Sequence, residues 1–358
     1  MPRMPDATWK RQFRRQLLAW FRRNARDLPW RRTRDPYSIW ISEIMLQQTQ
    51  VATVVDYFQR FIQRFPTIQE LAAADEQQVL RQWEGLGYYR RARQLHQAAR
   101  VIVSEHGGRF PRDIDAIGAL PGIGRYTRGA IASIAWDARE PILEANTVRV
   151  FSRLLAYRDD PTRSEGQRLL WSFSEQLLPH KETGAFNQAL MELGSEICTP
   201  RSPQCSQCPV RRLCPTEAAG LQEQIPVAAK KTVYEDVLET AVIVRRNGHI
   251  LLRCCGAEER WAGLWDFPRF PVRRRRGKAF AAEVAARIAE LTGQRVELGK
   301  HLTTIKHGVT RYRITLLCHE AHWIEGGDAR DDLRWIEPHH LDRYPLSVTG
   351  RRISRLLT

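Results

Sequence analysis

Four of the chain's seven cysteines, Cys198, Cys205, Cys208 and Cys214, fall within 17 residues as C-x6-C-x2-C-x5-C. So compact a loop can fold four thiolates around one metal centre, either an iron–sulfur cluster or a zinc ion. The total is odd and no secretory signal precedes them, so they read as metal ligands in a reducing cytoplasm and not as a disulfide framework. Cys254, Cys255 and Cys318 lie apart and read as ordinary buried thiols. Upstream, Glu43 is a lone carboxylate among Ile39, Trp40, Ile44 and Leu46. A carboxyl group in apolar surroundings keeps its proton to higher pH, which suits a general acid near neutrality. The alternative is a Glu on the polar face of its helix. In Leu120-Pro-Gly-Ile-Gly-Arg-Tyr-Thr127, Gly122 and Gly124 flank one apolar residue just before a helical pattern. Such glycines permit a tight turn and close backbone approach, and the first N–H groups of the helix can meet a phosphate. Taken alone, the stretch is equally any glycine-rich corner between helices.

The elements that must position these residues change character along the chain. Residues 1–23 are basic and read as a first amphipathic helix and not as a transit peptide. From Trp9 to about Pro215 the apolar spacing is helical. Residues 40–65 read as one long stretch, followed by helices over 71–84, 91–105, 129–136, 147–155, 165–177 and 184–198. Residues 221–236 read as a linker. Strand-like runs follow at 239–246, 249–253 and 310–319, with one helix over 279–291. The expected architecture is an all-α domain over 1–220 that ends in the cysteine loop, then a smaller α+β domain over 237–358. No apolar run approaches the roughly 20 residues that span a bilayer. Lys and Arg outnumber Asp and Glu by 56 to 40, a formal charge of +16. That excess is shared by both halves and suits a polyanionic partner without proving one.

The spacing of the cysteine loop resembles the segment that closes the helical domain of endonuclease III-type DNA glycosylases, where it holds a 4Fe–4S cluster. With that loop downstream, the Gly122–Gly124 turn resembles the superfamily's helix–hairpin–helix. Trp40-Ile-Ser-Glu-Ile-Met-Leu-Gln-Gln-Thr-Gln-Val51 closely resembles MutY-type adenine DNA glycosylases. The resemblance implies that Glu43 protonates adenine at N7; Gln47, Gln48 and Thr49 also match, Gln48 belonging to the surface that invades the base stack and Thr49 to the DNA contacts. Gly85-Leu-Gly-Tyr-Tyr-Arg-Arg-Ala-Arg93 matches a second family stretch, placing Leu86 and Tyr88 among the lesion contacts, with Tyr88 beside the oxidised guanine. Arg31 is a further candidate DNA contact. At position 126 endonuclease III-type enzymes carry a Lys that attacks the sugar. Tyr126 cannot form that Schiff base, so a monofunctional glycosylase is expected.

Leu143-Glu-Ala-Asn-Thr-Val-Arg149 departs from the family's Leu-Asp-Gly-Asn. There the Asp stabilises the sugar cation, with Tyr126 and Asn146 supporting it. Glu144 keeps the charge but adds a methylene, and misplacement by about 1 Å can cost about a hundredfold in rate. Adaptation of the pocket to the longer side chain is expected.

Arg260-Trp-Ala-Gly-Leu-Trp-Asp-Phe-Pro268 resembles the family's Nudix-related C-terminal domain. The metal-binding positions of a working Nudix helix would fall on residues 286–291, where only Glu290 is acidic. A recognition role is therefore expected in place of hydrolysis. The family's Phe-Ser-His loop corresponds to Ile305, Lys306 and His307, of which only His307 fits. The resemblance implies a monomeric, cytoplasmic, nucleoid-associated base-excision repair enzyme with a 4Fe–4S cluster. Its partner would be duplex DNA carrying adenine opposite 8-oxoguanine or guanine. Two competing readings are a bifunctional glycosylase/lyase of the endonuclease III type and a catalytically weakened lesion binder.

Overall fold

The computed structural model describes residues 4–227, 233–327 and 330–357. Its helices, in order, are α1 (Ala7–Asn24), α2 (Pro36–Leu46), α3 (Val51–Arg64), α4 (Ile68–Ala73), α5 (Glu76–Trp83), α6 (Arg90–Glu105), α7 (Ile114–Ala119), α8 (Arg125–Trp136), α9 (Ala145–Leu154), α10 (Ser164–Leu177), α11 (Thr183–Glu192), α12 (Pro215–Ala218), α13 (Lys278–Thr292) and α14 (Val348–Ser354). The strands are β1 (Glu235–Arg246), β2 (His249–Cys254), β3 (Trp265–Asp266), β4 (Arg269–Pro271), β5 (Arg295–Val309), β6 (Tyr312–Glu325) and β7 (Leu333–Ile336). The chain divides into two compact units. One comprises residues 1–73 and 94–231, the other residues 74–93 and 232–358. The second unit thus includes a stretch of the helical half of the sequence. Of the expected linker, residues 228–232 lie outside the described residues.

In the first unit, short polar caps set where helices begin. The Asp35 carboxylate accepts the Tyr37 and Ser38 N–H groups at the start of α2, with Pro36 at the first helical position. Glu144 does the same for α9 through Asn146 and Thr147. The helices bury a core rich in aromatic residues, including Phe13, Phe151, Phe173 and Phe186, all fully enclosed. Helices α8 and α11 touch closely at Gly184, where a Cβ would stand 2.4 Å from the Ser133 carbonyl oxygen. Only glycine permits that approach. The Asp137 carboxylate fixes the same junction by accepting the Glu182 and Gly184 N–H groups.

Three expected helices are interrupted. Residues 40–65 break after Leu46, where Gln48 takes a left-handed φ of 56°. Residues 71–84 break at Asp75, whose side chain caps α5 at the Gln77 N–H. Residues 184–198 widen into a π-helical turn at Leu193–Ile197 before the cysteine loop begins.

In the second unit, seven strands form a mixed sheet of order β3-β2-β1-β6-β5, with β4 on β1 and β7 on β2. The β1–β6 pair is parallel, in register from Glu235 with Tyr312 to Arg245 with His322. Alternation along β1 sends Ala241 and Ile243 to one face and Val242 and Val244 to the other. The latter face is covered by Phe280, Val284 and Ile288 of α13. The other is covered by Leu341, Leu346 and Ile353. The sequence reading missed β5, whose polar, bulged course lacks clean alternation.

Candidate active site

Glu43 sits in the last turns of α2, whose residues from Ile39 to Met45 are all buried. Only 4% of it is exposed. Burial raises its carboxyl to about 7, with Glu144 adding to the rise, while the Tyr126 hydrogen bond and Arg31 oppose it. The Tyr126 hydroxyl, from the first turn of α8, donates to Glu43 Oε2 at 2.7 Å. Burial and the two nearby carboxylates push the Tyr126 phenol well above its ordinary value, so it keeps its proton and remains a donor. Glu43 is therefore divided between acid and carboxylate near neutrality, with one oxygen engaged by Tyr126.

Glu144 lines the same cavity, which encloses about 420 Å³. Its carboxylate turns back onto the helix it starts. Oε2 accepts the Asn146 N–H at 2.8 Å and Oε1 the Thr147 N–H at 2.9 Å. The Thr147 hydroxyl closes a capping box by accepting the Glu144 N–H at 2.7 Å. The side chain folds back against the α9 N-terminus. Burial raises the Glu144 carboxyl, and the two backbone N–H groups and Arg149 draw it back down.

Of the two residues expected to support Glu144, Asn146 lies on it, its backbone and side-chain hydrogen bonds both lowering the Glu144 carboxyl, whereas Tyr126 is turned to Glu43. The Asn146 side-chain oxygen accepts from Arg149 at 2.9 Å. The same guanidinium donates to the Gly194 and Cys198 carbonyls, which joins the α9 N-terminus to the start of the cysteine loop.

The cavity wall opposite α2 was not legible in the sequence. Glu192, 1% exposed, accepts from Arg26 at 2.7 Å and from Arg31 at 2.9 Å. Burial alone would raise its carboxyl, but the two guanidinium groups win and hold it at about 2. Arg31, expected as a DNA contact, lines the cavity paired with Glu192. No sequence signal links these residues, because they come from a loop near the N-terminus and from the end of α11. Gln48 and Thr49 lie at the cavity rim, with Gln48 exposed in the turn after α2.

Gly122 and Gly124 lie exposed in the turn between α7 and α8. Gly122 has φ +77°, and a Cβ there would stand 2.8 Å from that of Gln94. Gly124 is the N-cap of α8. The turn leads into a 12-residue helix whose N-terminus has no side-chain cap.

In the other unit, Tyr88 is 50% exposed with φ 46°, and the Arg91 guanidinium lies 5.6 Å from its ring centre. Leu86, expected among the lesion contacts, is buried at 7%. His307 is half-buried in β5, its Nε2 3.0 Å from an Arg269 guanidinium nitrogen. Burial, with Arg269 beside it, pulls His307 down to about 4, so the imidazole is neutral at physiological pH. Lys306 is exposed and Ile305 is core. Glu290, the lone acid at the Nudix metal positions, is paired with Arg287 at 2.7 Å.

The four cysteines of the loop suit a cluster. Cys198, Cys208 and Cys214 pack against the helical core, and Arg153 donates to Cys198 Sγ at 3.2 Å. Burial, together with the crowding of Cys198, Cys214 and Cys205, pushes the Cys208 thiol up to about 12. Thiolates gathered this way need a cationic centre.

Comparison with known proteins gives three family matches. Residues 41–176 match the HhH-GPD superfamily base excision DNA repair protein, 198–214 the iron–sulfur binding domain of endonuclease III, and 240–355 the NUDIX domain. The loop at 198–214 is thus an iron–sulfur segment for a 4Fe–4S cluster. A rat adenine DNA glycosylase is 40% identical over 78% of this chain and 55% of its own length. A human adenine DNA glycosylase is 42% identical over 73% and 50%. The chain therefore spans about half the length of these relatives. One from Buchnera aphidicola is 36% identical over 73% of this chain and 76% of its own. A thermostable thymine-DNA glycosylase structure is similar at TM-score 0.55 and 32% identity, covering 60% of this chain and 100% of that one. An endonuclease III–DNA complex, at 22% identity and TM-score 0.53 over 61% of this chain and 100% of that one, shares the fold.

Proposed function

The chain belongs to the adenine DNA glycosylase family, and on that premise we propose that it excises adenine mispaired with 8-oxoguanine or guanine in duplex DNA. The observation that carries this reading is Glu43, a buried carboxyl poised at about 7 and held by Tyr126 in a cavity it shares with Glu144.

The glycosidic bond is inaccessible inside the stack, so the adenine is rotated out into the cavity. Protonated Glu43 gives its proton to adenine N7. The bond between N9 and the sugar carbon breaks with its electron pair going to the base, and an oxocarbenium-like sugar remains. The Glu144 carboxylate stabilises that cation. Glu43, now a carboxylate, takes a proton from the attacking water and regains its starting state. Tyr126 orients Glu43 throughout. The cavity lining contains Tyr126 and no Lys among the described residues, which favours water over an amine as the nucleophile.

Gln48 and Thr49 enter the stack from the cavity rim, while the Gly122–Gly124 turn grips phosphate without reading sequence. Tyr88 and the neutral His307 contact the base opposite the adenine, and Lys306 meets phosphate. The C-terminal unit recognises the lesion and does not hydrolyse nucleotides, its single Nudix-position acid being occupied by Arg287. The enzyme works as a cytoplasmic, nucleoid-associated monomer.

Single-turnover cleavage of an adenine:8-oxoguanine duplex, with and without alkali, tests the proposal. Strand breaks only after alkali are expected. Breaks without alkali indicate a lyase, and tight binding without base loss indicates a lesion binder.

A further inference from the structure

The second unit carries a cluster of nitrogen and oxygen donors unrelated to adenine excision. Strand β7 ends at Ile336, which pairs with Ile250 of β2, so Glu337 leaves the sheet beside His249. Pro338 then opens a 3-10 turn, Pro338–Arg343, which carries His339 and His340. The His339 Nε2 lies 3.0 Å, and the His340 Nδ1 3.6 Å, from the same oxygen, Glu337 Oε2. The three ligand atoms all lie within 4.8 Å of one another.

We infer that Glu337, His339 and His340 bind one borderline divalent cation, zinc foremost, at the junction of β2, β7 and this turn.

Ligand atoms on a tetrahedral zinc with nitrogen and oxygen donors sit about 3.4 Å apart, so the cluster is already close to coordinating spacing. In the tautomers that turn the His339 Nε2 and His340 Nδ1 lone pairs inward, two nitrogens and one carboxylate oxygen converge as donors to one cation. Imidazole with carboxylate favours zinc, nickel or copper over magnesium or calcium. His249 offers a neighbouring donor. Its Nδ1 lies 3.0 Å from the Asn247 carbonyl, which can only accept, so Nδ1 carries the hydrogen. Its Nε2 is left with a free lone pair 3.9 Å from Glu337 Oε1. A backbone carbonyl orienting the far side of the ring is how proteins commonly set a metal-binding histidine. The fourth position falls to water, with His249 next to it.

A cation here would clamp the turn to the sheet edge, just before Leu346, which bridges to Trp265. The donors are also chemically distinct from the four thiolates of the iron–sulfur loop.

The test uses untagged protein with its cluster intact, dialysed against micromolar zinc and analysed for zinc and iron. One zinc per chain is expected with iron content unchanged, together with a rise in thermal midpoint. The double variant H339A/H340A changes one exposed and one partly buried side chain, and it should retain its iron but bind no zinc. E337Q should likewise lose the zinc. Wild-type protein that retains no zinc, variants that bind it undiminished, or zinc uptake matched by iron loss would each overturn the inference.

Discussion

Tyr126 donates its hydroxyl to Glu43 Oε2 at 2.7 Å, and this bond restrains a carboxyl that burial drives upward. The two residues lie 83 positions apart. Their pairing sets both the orientation of the acid and the pH at which it gives up its proton.

The acid form of Glu43 is the active one, so the single-turnover rate of base release is expected to fall as pH rises through about 7. Tyr126→Phe removes an interaction that lowers the Glu43 pKa, and the falling limb should move to higher pH. Rate profiles of the two proteins on one duplex check this; an unmoved limb refutes the role given to Tyr126.

Replacing Glu43 with Gln is expected to cut base release by about 10²–10⁴-fold. The same change should stabilise the fold under alkaline conditions. A carboxyl raised from its ordinary value to about 7 binds its proton more tightly when folded, so stability falls as pH climbs through that window. At pH 8 the variant should gain up to about 3 kcal/mol, and below the ordinary carboxyl range almost nothing. Denaturant unfolding at both pH values measures the difference.

Glu144→Gln should abolish turnover while keeping an oxygen for the α9 cap, whereas Glu144→Asp should be tolerated or improved. Glu144→Ala should in addition cost about 1 kcal/mol by removing the cap. Turnover and unfolding midpoint measured on the same three proteins separate charge from capping. A fully active Gln variant would remove Glu144 from the mechanism.

Glu192→Ala should destabilise by about 3 kcal/mol, because Arg31 loses its carboxylate beside the cavity and Arg26 keeps only Glu196. Glu192 is held at about 2, so its contribution in the native protein persists through mildly acidic pH. It is lost only as pH falls below the ordinary carboxyl range towards that value. Acid titration of stability, wild type against variant, should diverge above that window and converge within it.

Gly122→Ala forces a side chain into φ +77° and against Gln94. A loss of about 1–2 kcal/mol in stability is expected. Duplex affinity should weaken irrespective of sequence, as read by a binding titration on matched and mispaired DNA.

The sequence by itself determined what depends on local spacing. The cysteine loop, the glycine turn before α8 and the apolar setting of Glu43 each depend on neighbours within a few positions. So do the helical texture of the first half and the β-rich texture of the second. Resemblance of the 40–51 and 85–93 stretches likewise points to the family from local sequence alone.

Only the tertiary structure decided which groups meet. The break after Leu46 has no glycine or proline to announce it, since Gln-Gln-Thr-Gln can continue a helix, and it opens only where Gln48 turns left-handed. The pairing of Tyr126 with Glu43, the return of Glu144 onto its own helix and the Glu192–Arg26–Arg31 wall join residues from separate elements. Leu86 lies under a surface its sequence context would have placed outside. Such contacts arise when whole helices pack their faces together. Their energies belong to desolvation and charge at short range, and no local pattern in the chain encodes either.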